Sequence, residues 1–122
     1  MRNIRILFSE DNEIAEMESV KCSGDRLDVI VIIDDKIYHP EFYSAERLAL
    51  ECQYFMKSVN NYMELFNIIL VQKPDKQTII NTILELAKTS YFSYFAPYDK
   101  KMLEDRGFEN WESFVQVYPS EK

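Results

Sequence analysis

Residues 28–55, DVIVIIDDKIYHPEFYSAERLALECQYF, decide the fold. Val29-Ile30-Val31-Ile32-Ile33 is unbroken apolar chain, rich in β-branched residues. Such a run predicts a central strand covered on both faces, because a half-exposed strand would alternate apolar and polar residues. Asp34-Asp35-Lys36 turns the chain, and residues 37–43 return as a hairpin partner. The turn lacks the Asn-Gly or Asp-Gly pair that marks the tightest hairpins. Pro40 has no amide hydrogen, so it places the returning strand at an edge or marks a bulge. Ser44 then reads as a helix N-cap, with Glu46 near the positive helix end. Leu48, Cys52, Phe55, Met56 and Val59 recur at helical spacing, which predicts a helix to about residue 60.

Working outward, residues 65–72 predict another strand, with Ile68, Ile69, Leu70 and Val71 at its centre and Pro74 beyond its end. Asp75 caps a second helix whose face is Ile79, Ile80, Ile83, Leu84 and Ala87. Residues 91–95 are densely aromatic. Residues 98–106 suit a short helix stopped by Gly107, and Phe108, Trp111 and Phe114 suit a last one. On the other side, residues 2–8 predict a first strand. Residues 10–20 fit either a helix with Ile14, Met17 and Val20 on one face or a strand, and both readings stay open. Ser23-Gly24-Asp25 is a turn signal. With no repeat, low-complexity segment or linker, residues 1–122 are expected to form one α+β domain. Its core is a small, mainly antiparallel sheet of about four strands with helices packed on one face.

The chain has 122 residues, 47% of them hydrophobic, which suffices for a core without a disulfide or metal staple. Its net charge is −7. Phosphate backbones and anionic lipid surfaces recruit lysine and arginine, so direct nucleic-acid binding and membrane binding are not expected. A basic protein partner would be attracted. The acids are concentrated in residues 1–46, which hold eleven acids against five bases. Glu10, Asp11, Glu13, Glu16 and Glu18, with Asp34 and Asp35 at the hairpin tip, are the candidate partner-binding residues. The simpler reading of such a charge run is a solvated face. Cys22 and Cys52 have no metal or redox spacing, and both are expected to be reduced. The opening MRNIRILFSEDNE turns acidic too soon for a signal peptide, so the cytoplasm is the expected compartment.

The inventory for catalysis is thin. His39 is the lone histidine. It could serve as a base with Asp34 or Asp35 across the hairpin, but an ordinary strand residue is the simpler reading. Two glycines, Gly24 and Gly107, are too few for a phosphate-cradling loop or a nucleophile elbow. Neither Glu10-Asp11-Asn12-Glu13 nor Asp34-Asp35 has the pattern of a calcium loop. The aromatic residues from Tyr91 to Tyr98 could stack nucleobases, yet the bases beside them, Lys88, Lys100 and Lys101, are balanced by Asp99, Glu104 and Asp105. Core packing or a protein interface fits them better. The expectation is a protein binder, with no enzymatic activity, cofactor or metal.

From Leu27 onward the order of features resembles that of a known family. The stretch quoted above is a strand, turn, returning strand and Ser44-capped helix. NIILVQKPDKQTIINTILELA, residues 67–87, then runs from a strand into a capped helix. This pattern resembles the immunity proteins of bacterial polymorphic toxin and contact-dependent growth inhibition systems, most closely the immunity protein 8 family. The resemblance covers residues 27–95. It is one of pattern and transfers no site residue. The family's early turn often contains glycine, where Asp34-Asp35-Lys36 stands here, and nothing after Pro97 belongs to the resemblance. It implies a cytoplasmic antidote that binds and neutralises a cognate toxin domain, commonly a nuclease with a basic active site. The alternative is another small acidic interaction module: an adaptor, a phage inhibitor or a subunit of an assembly. An enzyme with an unfamiliar site is a third class, and it would require a pocket in which His39 meets carboxylates. The oligomeric state is open.

Overall fold

The computed structural model describes residues 3–9, 17, 24–105 and 116–118. Among the described residues, seven strands and three helices follow in order: β1 (Ile4–Phe8), β2 (Asp25–Arg26), β3 (Val29–Ile33), β4 (Lys36–Tyr38), β5 (Glu41–Tyr43), α1 (Ala45–Ser58), β6 (Ile68–Leu70), α2 (Lys76–Ala87), α3 (Lys100–Asp105) and β7 (Gln116–Tyr118). A 3-10 turn, Tyr91–Tyr94, lies between α2 and α3. The fold is α+β, as the sequence predicts.

The strands form two sheets. The larger is antiparallel, in the order β4-β3-β1-β7. All five residues of β3 are buried, and β1 pairs along its whole length, from Ile4 opposite Ile33 to Phe8 opposite Val29. The smaller sheet runs β2-β5-β6, with β5 and β6 parallel and α1 connecting them. The predicted single return strand of residues 37–43 is therefore two strands. The break falls at His39-Pro40. Proline cannot donate to a ladder, so the chain leaves the first sheet there and joins the second.

Helices occupy both faces of the larger sheet rather than one. On one face Ile4, Ile6, Phe8, Val29, Val31 and Ile33 meet Ile79, Ile80 and Ile83 of α2 and Phe92 of the aromatic turn. On the other, Leu7, Ile30, Ile32 and Ile37 meet Leu103 of α3. A strand apolar on both faces needs two covers, and the short helix supplies the second.

Both predicted caps form. The Ser44 hydroxyl accepts from the Arg47 amide at 3.2 Å, and the Asp75 carboxylate accepts from the Thr78 amide at 2.7 Å. The two helices differ in what they bury. α2 buries Ile79, Ile80, Ile83 and Ala87, whereas α1 buries Leu48 alone, and Met56 and Val59 of its predicted face are exposed. The strand predicted over residues 65–72 is limited to residues 68–70. Residues 10–16 and 18–20, with Phe108, Trp111 and Phe114, lie outside the described residues. β7 is a strand that the sequence reading did not anticipate.

Candidate functional site

The β3–β4 turn closes with Asp34 at φ 50° and Asp35 at φ 70°. Two consecutive left-handed residues give the mirror-image turn whose twist matches a hairpin. Glycine and asparagine are its usual occupants. Aspartate also tolerates this region, because its short carboxylate can bond to nearby backbone. The Asp34 carboxylate accepts from the Asn3 amide at 3.0 Å, and the Asp34 amide donates to the Asn3 carbonyl at the same distance. The hairpin tip is thus tied to the start of β1. Asp35 lies 3.4 Å from Arg5 with its side chain 93% exposed. An exposed pair of this kind contributes less than about 1 kcal/mol, so its carboxylate stays available to a partner.

The tip overhangs a cleft of about 220 Å³. Ile33, Tyr38, Phe92, Phe95 and Pro97 form its apolar walls, and Asp34, Lys36 and Ser93 its polar mouth. The walls are rigid. Tyr38 packs 5.4 Å from Phe92 and edge-on to Phe95 at 6.0 Å, and Phe92 and Phe95 are 5.2 Å apart. Aromatic contacts of this geometry each add about 0.5–1.5 kcal/mol beyond area burial. Pockets for free ligands and cofactors usually hold about 300–1,000 Å³. This cleft is smaller and suits a single side chain protruding from another protein.

The acidic hairpin tip and the aromatic run are separate candidates in the sequence, about 60 residues apart. The structure sets them around one opening. Glu10, Asp11, Glu13, Glu16 and Glu18 lie outside the described residues. Lys36, at the mouth, and Tyr38, in the wall, were not singled out from sequence. The two-residue period of β4 carries the signal for both, since it sets Lys36 and Tyr38 on one face and Ile37 between them on the other.

His39 does not meet the hairpin acids. Its Nε2 donates to the Leu27 carbonyl at 2.7 Å, and its ring stands edge-on to Tyr98 at 5.8 Å. It braces the junction between the sheets. Among the described residues, Asp34 meets Asn3 and Asp35 meets Arg5, and His39 pairs with neither acid.

A second group of charges lies around the start of α1. Asp25 is 3.6 Å from Arg47, which also pairs with Glu51 one turn along the helix. Burial lifts the Asp25 carboxyl above its ordinary value of 3.8. Arg47 opposes that rise and Glu51 adds to it. Burial, with Glu41, Asp25 and Glu51 nearby, likewise raises the Tyr43 phenol. Gly24, at φ 72°, brings its backbone against this helix end. A Cβ there would stand 2.9 Å from both Arg47 Cβ and Ser44 Oγ.

Deeper still, Arg26 and Asp28 form a buried pair at 2.7 Å, with the Arg26 guanidinium 5.0 Å from the Phe8 ring centroid. Sequence reasoning gave neither residue a role. Among the described residues, no group of three or more His, Cys, Asp or Glu side chains could hold a metal ion, and Cys52 is a free thiol. No described helix is long and apolar enough to cross a membrane. In comparisons with known proteins, no family model matches the chain, and no curated protein or solved structure matches it.

Proposed function

We propose that this chain is an inhibitory binding protein of the immunity type, which neutralises a cognate bacterial toxin domain in the cytoplasm. The observation that carries the reading is the cleft. Asp34 stands at the mouth of an aromatic hollow sized for one side chain, and the exposed Asp35 follows it in the turn. An arginine or lysine entering it would place its stem against Tyr38, Phe92 and Phe95 and its charge beside the hairpin acids. A nuclease must present such cations to phosphate, so an acidic inhibitor can occupy the same surface. The resemblance of residues 27–95 to the immunity protein 8 family supports the same reading, as does the net charge of −7. The inhibitor acts by occupation. It needs no catalysis, cofactor or metal, and it contacts neither nucleic acid nor membrane directly.

The test is capture of the partner from the native host, followed by affinity measurements on the purified pair. Asp34→Asn with Asp35→Asn removes both charges and keeps residues that tolerate the turn. The variant is expected to bind about tenfold more weakly at low salt, with the difference shrinking as salt rises. A partner that is acidic, or an affinity unchanged by both salt and substitution, would refute the reading. It would return the chain to the wider class of adaptors, phage inhibitors and assembly subunits.

A further inference from the structure

We propose that the chain pairs with a second copy of itself by adding strand β6 to β6 of the partner copy, antiparallel and centred on Ile68. β6 is the outer strand of the smaller sheet. Glu41 donates to the Asn67 carbonyl, and Val71 donates to the Tyr43 carbonyl. That alternation turns the amides and carbonyls of Ile68 and Leu70 away from β5. Among the described residues, no strand pairs with them. Natural sheets protect such an edge with lysine, proline or a bulge. Here residues 65–72, Leu-Phe-Asn-Ile-Ile-Leu-Val-Gln, contain no charge and no proline.

The side chains along this edge are uncovered as well. Leu65, Phe66 and Leu70 keep between 53% and 80% of their surface. Aromatic side chains present roughly 150–250 Å² each, so Phe66 alone leaves more than about 100 Å² per copy for a partner to cover.

The sequence of the edge selects a copy of itself as occupant. β6 itself is three residues long, and pairing that extends it to residues 65–71 and is centred on Ile68 sets Phe66 opposite Leu70 of the other copy and Leu65 opposite Val71, apolar against apolar on both sides of a two-fold axis. The uncharged run is bounded by Glu64 at one end and Lys73 at the other, both exposed. Antiparallel pairing brings the Glu64 end of each copy to the Lys73 end of its mate. Parallel pairing would set like charge against like. A basic toxin, drawn by carboxylates, has no electrostatic reason to choose this edge. The inference does not depend on the role of the cleft.

Sedimentation velocity on the full chain, from low to high micromolar concentration, tests the proposal. The wild type should sediment at twice 14.5 kDa at the upper end. Phe66→Lys with Leu70→Lys replaces two exposed side chains and should give a monomer with an unchanged circular dichroism spectrum. A second pair of variants keeps the test decisive if that one misfolds. Glu64→Lys alone should weaken the dimer about tenfold, and Glu64→Lys combined with Lys73→Glu should restore it. A wild type monomeric throughout would overturn the proposal. So would a dimer untouched by the lysine pair, or a charge swap that fails to restore what the single change removed.

Discussion

The cleft and the β6 edge are both apolar surfaces, but they are held in different ways. Beneath the cleft, Phe92 is buried and touches Tyr38, Tyr91 and Phe95, and the hairpin above it is anchored to Asn3. Along β6, Phe66 is 80% exposed and, among the described residues, the strand has one neighbour. The first surface is finished before any partner arrives and carries its charges at the rim. The second is unfinished and has its charges only at its ends. A prebuilt, charged site suits a foreign partner that must be found quickly. A bare strand edge suits a partner with the same edge. Salt should screen the attraction of a basic partner to the hairpin acids, whereas at the edge it screens both the Glu64–Lys73 attraction and the repulsion between two copies that each carry −7, so its net effect there should be smaller.

The contrast can be broken most severely at the two phenylalanines. Phe92→Ala should destabilise the fold by about 3–5 kcal/mol in urea unfolding, because it empties the floor of the cleft. Phe66→Ala should change the stability of the monomer by less than about 0.5 kcal/mol. Similar losses at both positions would mean that the edge is packed after all.

The next effect lies where the smaller sheet meets α1. Gly24→Ala should cost about 1–3 kcal/mol in the same assay, since the new methyl collides with Arg47 and Ser44 and the backbone is left-handed there. A neutral result would show that α1 is free to shift and that its shallow seating is real slack.

His39→Ala should be smaller again, about 1 kcal/mol from the lost bond to Leu27. Under the proposed function, protection of cells should stay within a few fold of wild type. Abolished protection by a folded variant would restore a chemical role to the histidine.

The smallest effect concerns pH. The folded state raises the Asp25 carboxyl, chiefly by burial. It therefore binds that proton more tightly than the unfolded chain does. The associated stability is present below the ordinary value of 3.8 and is lost as pH rises through the folded value. Asp25→Asn should flatten the stability profile just above the ordinary carboxylate range. An unchanged profile would show that Arg47 fully offsets the burial.

Features carried by local chemistry were legible in the sequence. β3 shows as five consecutive β-branched residues, and both helix starts show as Ser44 and Asp75. Helical spacing marks which residues share a face, but it does not say whether anything packs on that face. α2 and α1 have the same periodicity, and only α2 is well buried. The switch of sheets at Pro40 and the parallel pairing of β5 with β6 depend on partners distant in sequence, as does β7. The turn was obscured for a different reason: Asp34-Asp35 lacks the glycine that usually announces its geometry, and a backbone bond to Asn3 helps to hold it. Of the candidate site, each half was visible, the acids as charge and the aromatics as a run. Their meeting required the hairpin, α2 and the aromatic turn to be assembled.

The position of β7 bears on how the chain is made. β1 leaves the ribosome well before one of its neighbours, β7, with which it pairs from Ile4 opposite Tyr118 to Ile6 opposite Gln116. At the usual pace of about 5–20 residues per second, β1 waits several seconds with one side open. During that interval it is a hydrophobic strand beside other nascent copies on the same message. Its other described partner, β3, is available much sooner, so the hairpin-centred half of the sheet can form during translation, before β7 closes it. Removal of residues 116–118 would make that transient state permanent, and insoluble protein rather than a smaller soluble domain is the expected product.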